Sequence, residues 1–293
     1  MGDARSINDF VPGRPHWWQW LTILSLDAPL VAVAWQRALG RALRLPVAAD
    51  RAVILAASVW LAYCADRWIE GWRLAPGQVQ TQRHWFHLRW RIPVLVAWLA
   101  VLVGTVTLAA ERMTSREFRA GLLLLGPVAA YLLSHQLVHR HHRWRAPKEI
   151  CVALLLTGGV ACFPLAARPD LLPAAALPLT WFALLCFANC VLIARWEAEV
   201  DLSHGQTSIA LQYPPSQHLG RLLPWAIGLV AAAIAPWNAA RGVAACASAS
   251  GLLLGGIDLL HHRLGRQLSR VLADLALLTP FALPALAAWG LDR

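Results

Sequence analysis

Apolar residues run in blocks of about 20 along the chain, with the charged residues gathered between the blocks. Blocks of that length match the helical crossing of a bilayer. Nine spans are predicted, at about 17–39, 52–72, 92–110, 118–138, 147–167, 174–199, from just after Pro214-Pro215-Ser216 to 235, 238–262 and 267–289. Local signals support several starts. Thr114-Ser115-Arg116-Glu117 reads as a capping box ahead of the fourth span. Pro147 stands at a favoured first helical position for the fifth, and Asn238 reads as the cap of the eighth. The pattern predicts an all-α polytopic membrane protein, one transmembrane domain over residues 1–293, with a polar N-terminal segment at 1–16.

Composition removes the soluble alternative. Of 293 residues, 58% are hydrophobic and 14% charged, against about 45–50% and about 25% in soluble domains. The net charge of +10 rests on 26 basic residues, of which Lys148 is the only lysine. These residues cluster at span ends, which suits lipid headgroups or an anionic substrate and not nucleic acid. Trp17, Trp18, Trp20, Trp85, Trp90, Trp144, Trp225 and Trp237 lie near span ends, as an interfacial belt would. The six cysteines fall in apolar runs without a CxxC pair and read as reduced packing residues. Residues 1–16 contain no apolar core, so no cleavable signal is expected. Counted by parity of the spans, sixteen basic residues fall on the N-terminal side and ten on the other. The positive-inside rule then puts the N-terminus in the cytoplasm. The scarcity of lysine suggests a GC-rich genome and hence a bacterial inner membrane.

Two acidic pairs carry the chemistry. Asp66 and Glu70 end the second span and Glu197 and Asp201 end the sixth, each pair spaced i, i+4 on one helix face. Parity puts both pairs at the same membrane face. Acids near a membrane are costly and are retained for function. Two such pairs facing each other repel unless a cation lies between them. Oxygen donors without cysteine point to Mg²⁺, which takes few protein ligands and shares phosphate oxygens. The other reading is that these acids are exposed helix ends paired with Arg67, Arg73 and Arg195.

With these motifs the chain resembles the UbiA superfamily of intramembrane prenyltransferases. That family has nine transmembrane helices, an Asn-x-x-x-Asp-x-x-x-Asp motif ending helix 2 and an Asp-x-x-x-Asp-x-x-x-Gly motif ending helix 6. Here the first reads Ala62-x-x-x-Asp66-x-x-x-Glu70 and the second Glu197-x-x-x-Asp201-x-x-x-Gly205, followed by Thr207-Ser208-Ile209-Ala210. Ala62 replaces the family asparagine, and two of the four aspartates are glutamates. The resemblance implies a UbiA-like bundle and Mg²⁺-dependent transfer of a polyprenyl group from a prenyl diphosphate donor to a lipophilic acceptor among membrane lipids. It implies Asp66, Glu70, Glu197 and Asp201 as catalytic, metal-holding residues. Arg67, Arg140, Lys148 and Arg195 are then the diphosphate-binding cations. Without the asparagine, a non-enzymatic lipid-binding or transport relative of the same fold is the alternative.

Other polar residues need a place. His135-Gln136-Leu137-Val138-His139-Arg140-His141-His142, with His84, His87, His204, His261 and His262, offers a histidine-metal site or, more simply, basic loop histidines. Asp27 falls near the middle of the first span with no partner evident. Asp258 and Asp274 are expected to pair with Arg266 or Arg270, or else to line the acceptor site. Gly251-x-x-x-Gly255 marks a face for close helix packing.

Overall fold

A computed structural model describes residues 14–73, 81–134, 147–203, 208–238 and 240–283. Among them the regular structure is helical throughout. The main helices are α1 (Asp27–Ala42), α2 (Ala49–Arg73), α3 (Gln82–Arg89), α4 (Arg91–Arg112), α5 (Ser115–Leu133), α6 (Lys148–Ala167), α7 (Leu172–Trp196), α8 (Ala198–Ser203), α9 (Ser216–Ile234), α10 (Arg241–Leu264) and α11 (Arg266–Ala276). Six stretches among the described residues are long and apolar enough to cross a membrane: α2 to Glu70, α4, α6, Pro169–Trp196, Ser216–Trp237 and α10. The chain is a multi-pass membrane protein.

Three of the nine predicted spans have a different form. The first is broken. A single helical turn, Trp20–Ile23, is separated from α1 by Ser25, whose φ of 56° no continuing helix allows. α5 begins as its capping box predicts, with the Thr114 side chain accepting from Glu117 N and Glu117 reaching back to Thr114 N. Arg116, Glu117 and Arg119 sit in its first turns, ahead of an apolar run whose predicted end at 138 lies outside the described residues. The ninth span divides into amphipathic α11 and a 3₁₀ turn at Thr279–Ala282, where Pro280 interrupts the helix. Its predicted end lies outside the described residues.

Packing follows the apolar faces. Trp35 of α1 stacks on Phe182 of α7, with ring centroids 5.0 Å apart, and both are buried at the centre of the bundle. α9 and α10 approach closely. A Cβ on Gly251 would stand 2.7 Å from Gly228 N, and one on Gly255 would stand 2.5 Å from the Trp225 ring. This is the small-residue face expected from Gly251-x-x-x-Gly255. α4 has the opposite character, with Val96 and Val103 more than 60% exposed. A helix that presents such residues outward has lipid as its solvent. The six cysteines are free thiols.

Candidate active site

The start of α1, the end of α2, α3, the start of α6, the α7–α8 junction and α11 all line one cavity. Asp66 and Glu70 come from α2, and Glu197 and Asp201 from the α7–α8 junction. All four face this space, so the two acidic pairs do meet at one end of the bundle. The sixth span does not run straight through its motif. α7 ends at Trp196, Glu197 takes φ −104° and ψ 10°, and α8 resumes at Ala198. The break turns Glu197 inward while the Asp201 N to Glu197 O bond of 2.9 Å keeps the i, i+4 relation.

Basic side chains interleave with the acids. Arg83 Nη2 donates to Glu197 Oε2 at 3.2 Å, and Arg270 Nη1 donates to the same oxygen. Glu197 thus anchors two arginines. Lys148 Nζ lies 3.6 Å from Asp201 Oδ1. Arg67 is within electrostatic reach of Glu70, Asp66, Asp27 and Glu197. Buried guanidinium atoms remain without a hydrogen-bond partner: Arg67 Nε, Arg83 Nε and Nη1, and Arg270 Nε. A buried unmet donor is costly, and a charged one more so.

Arg83 and Arg270 are the residues that sequence reasoning missed. The stretch holding Arg83 reads as a polar loop, yet Thr81 caps it into α3 and its histidines are buried. The available signal was that cap together with the apolar Trp85 and Phe86. The His84 ring bridges inward, with Nε2 3.1 Å from Glu70 Oε2 and Nδ1 2.8 Å from Thr81 Oγ1. Burial pushes the His84 imidazole down to about 4 even though the Glu70 carboxylate favours its protonation. Burial likewise pushes His87 down to about 4, against the opposing effect of its Nδ1 contact with Arg83 O at 3.0 Å. The neutral His84 ring therefore donates from Nε2 to Glu70.

Arg195 is not among the residues that line the cavity. It pairs with Asp258 of α10, whose Oδ1 also accepts from Trp196 Nε1 at 3.0 Å. Asp258 therefore has Arg195 as its partner, not Arg266 or Arg270, and His261 stacks on Trp196 with centroids 4.8 Å apart. Arg67 and Lys148 do line the cavity. Arg140 lies outside the described residues, as do His135–His142, His204 and Gly205.

Asp27 is placed by the break in the first span. It opens α1, where a carboxylate suits the helix dipole, and its Oδ1 accepts from Ala28 N at 3.0 Å. Asp274 accepts from Asn189 Nδ2 at 2.9 Å. The rest of the wall mixes Tyr63, Tyr131, Cys186 and Cys190 with the apolar Val31, Val152, Leu156 and Ile193.

This is the architecture of a multi-pass helical membrane protein with a charged site at one end of an apolar chamber, and its fold is UbiA-like. The apo structure of a UbiA homologue from Aeropyrum pernix K1 superposes with a TM-score of 0.58, covering 90% of this chain and 98% of that one at 17% identity. No protein-family model and no curated relative matches the sequence.

Proposed function

We propose that the chain is a UbiA-like prenyltransferase that moves a polyprenyl group from a prenyl diphosphate to a lipophilic acceptor within the membrane. The observation that carries this reading is that Arg67, Arg83 and Arg270, each with buried guanidinium atoms that lack a hydrogen-bond partner, line the same cavity as the two acidic pairs. Guanidinium forks suit phosphate oxygens. The apolar wall suits a prenyl chain and keeps water from an allylic cation.

The donor set also favours a divalent cation. Seven carboxyl groups line the cavity against four basic side chains. A diphosphate entering that space adds negative charge at low dielectric unless further cations accompany it. Among the described residues no three His, Cys, Asp or Glu side chains form a metal cage. Mg²⁺ does not need one, because it binds through one or two carboxylates plus phosphate oxygens. One or two of Asp66, Glu70 and Asp201 would hold each ion, while Glu197 stays with its two arginines. When bound, Mg²⁺ offsets the charge that grows on pyrophosphate as the allylic C–O bond breaks. Arg67, Arg83 and Arg270 orient the diphosphate from the cavity wall. Lys148 adds positive charge at the start of α6. By the charge asymmetry of the loops, we place the mouth of the cavity at the cytoplasmic face of a bacterial inner membrane.

The test is thermal unfolding of the purified protein in detergent with Mg²⁺ and geranylgeranyl diphosphate. A ligand held by the folded state raises the melting temperature by mass action. The expected result is a rise that needs Mg²⁺ and is absent in Asp66→Ala and Asp201→Ala, both of which remain folded but lose turnover. Full response and turnover in either variant would refute the metal–diphosphate site.

A further inference from the structure

Of the stretch that follows the second acidic motif, Ser208, Ile209 and Ala210 are all buried. Ile209 opens a single helical turn, Ile209–Gln212. The start of a helix leaves its first N–H groups without a partner inside it. The Ile209 N–H finds one on α6, donating to Glu149 Oε1 at 3.1 Å. The Ile209 carbonyl accepts from Ser216 Oγ of α9 at 3.1 Å. Ile209 and Ala210 also pack in a small core with Val191 and Ala194 of α7. Three helices therefore hold this one turn.

Glu149 is a costly residue to use for that purpose. It is 2% exposed, and a carboxylate taken out of water needs hydrogen bonds to offset the loss. Part of the cost is offset by α6 itself, because Glu149 stands in its first turn, where the helix dipole favours an acid. The residue before it, Lys148, has its Nζ 3.6 Å from Asp201 Oδ1. Two consecutive side chains of α6 thus hold the two ends of the seven-residue connection 202–208: Lys148 at Asp201 and Glu149 at Ile209. Asp201 needs such support. It sits in α8, a helix of six residues, and so short a helix does not hold its own place. Its position is set by what flanks it. On one side is Glu197, bound by Arg83 and Arg270. On the other is Ile209, bound by Glu149.

From this arrangement we infer that Glu149 is a positioning residue for the diphosphate end of the cavity. Its carboxylate fastens the chain just beyond Asp201 to α6, and so holds Asp201 beside Lys148 where a metal-bound diphosphate meets them. It acts as the acceptor for the Ile209 N–H and not as a ligand of the ion. The inference rests on the prenyl-transfer reading and adds to it a residue that sets diphosphate affinity through Asp201.

The test compares Glu149→Gln, which keeps an accepting oxygen, with Glu149→Leu, which keeps the size and loses the acceptor. Ser216→Ala loosens the same turn from outside the cavity. Each full-length variant in detergent is titrated with pyrophosphate at fixed Mg²⁺, with affinity read from the melting temperature. Hydrogen exchange at the Ile209 amide is read by mass spectrometry without ligand. Glu149→Leu is expected to weaken pyrophosphate at least tenfold and to speed exchange at Ile209. Glu149→Gln should stay within threefold of the native chain in both. Ser216→Ala should speed exchange and weaken pyrophosphate at least threefold. If Glu149→Gln loses as much affinity as Glu149→Leu, the site uses the charge directly and the proposal is overturned. Native affinity in Glu149→Leu despite faster exchange also overturns it, since the bond then only braces the fold. If Glu149→Leu does not fold, Ser216→Ala decides, and faster exchange with native affinity overturns the proposal. If pyrophosphate fails to bind the native chain, the prenyl-transfer reading falls. The fastening of Ile209 by Glu149 then stands on the exchange contrast between Glu149→Leu and Glu149→Gln, or falls with its absence.

Discussion

Arg83 offers the sharpest separation between a residue that grips an anion and one that braces the bundle. Its side chain is 12% exposed. One nitrogen is spent on Glu197, and Nε and Nη1 have no partner. In Arg83→Ala, Glu197 keeps Arg270, so the bundle does not acquire an unpaired buried acid. What is lost is two donors for the incoming anion. Hydrogen bonds to charged groups contribute about 1.5–3 kcal/mol each. The cavity opens to water, so the lower end applies, and the loss is about 3 kcal/mol. At 1.4 kcal/mol per tenfold, this weakens pyrophosphate by roughly a hundredfold. Arg195→Ala is the opposite case. It strands Asp258, whose side chain is 8% exposed, and removing one member of a buried pair costs about 3–5 kcal/mol. The Trp196 hydrogen bond recovers part of that. Arg195→Ala should therefore melt several degrees lower without ligand and bind pyrophosphate as the native chain does. Titration of melting temperature with pyrophosphate at fixed Mg²⁺ reads both quantities. Pyrophosphate affinity within threefold of native in Arg83→Ala, or a loss of affinity confined to Arg195→Ala, would refute the assignment.

Two further outcomes follow from the packing of α3 and α10. His84 and His87 stay neutral in the fold down to about 4, whereas an unfolded histidine takes a proton near its ordinary 6.5. Between those values the unfolded chain binds protons that the folded chain refuses. Stability is therefore complete above pH 6.5 and is lost as pH falls toward 4. His87→Gln should flatten the pH dependence of the melting temperature, and an unchanged slope would contradict it. Gly255→Ala forces a Cβ to within 2.5 Å of the Trp225 ring and should destabilise the α9–α10 pair by about 1–3 kcal/mol. Gly256→Ala, with nothing within 4 Å of the added carbon, should be neutral in the same denaturation series.

The long apolar helices were legible in the sequence because a bilayer imposes one length and one composition on them. Parity then brought Asp66, Glu70, Glu197 and Asp201 to a common face, since alternating spans fix which ends meet. The breaks were less visible. Ser25 interrupts the first span by a single backbone angle, which apolar periodicity does not register. Arg83 was hidden because α3 is short and polar, and its burial comes from what it packs against. The direction of Arg195 depends on the turn at Glu197, a tertiary feature. Asp258 and Asp274 sit sixteen residues apart on consecutive helices and read alike, yet one braces α7 and the other faces the cavity. That difference lies in helix rotation, and pattern alone does not supply it.

The charged end of the chamber has a consequence for biosynthesis. Its walls come from helices spread along the chain, and α11, which brings Arg270 and Asp274, begins only at Arg266. While the ribosome is still making that segment, Glu197 lacks one of its arginines, and Asn189 lacks the Asp274 carboxylate to which its amide donates. A nascent bundle can insert its long spans but cannot close this end. Quality control that senses exposed intramembrane charge would therefore see the chain as unfinished until α11 docks. Truncations that remove α11 should fail at assembly, not at catalysis.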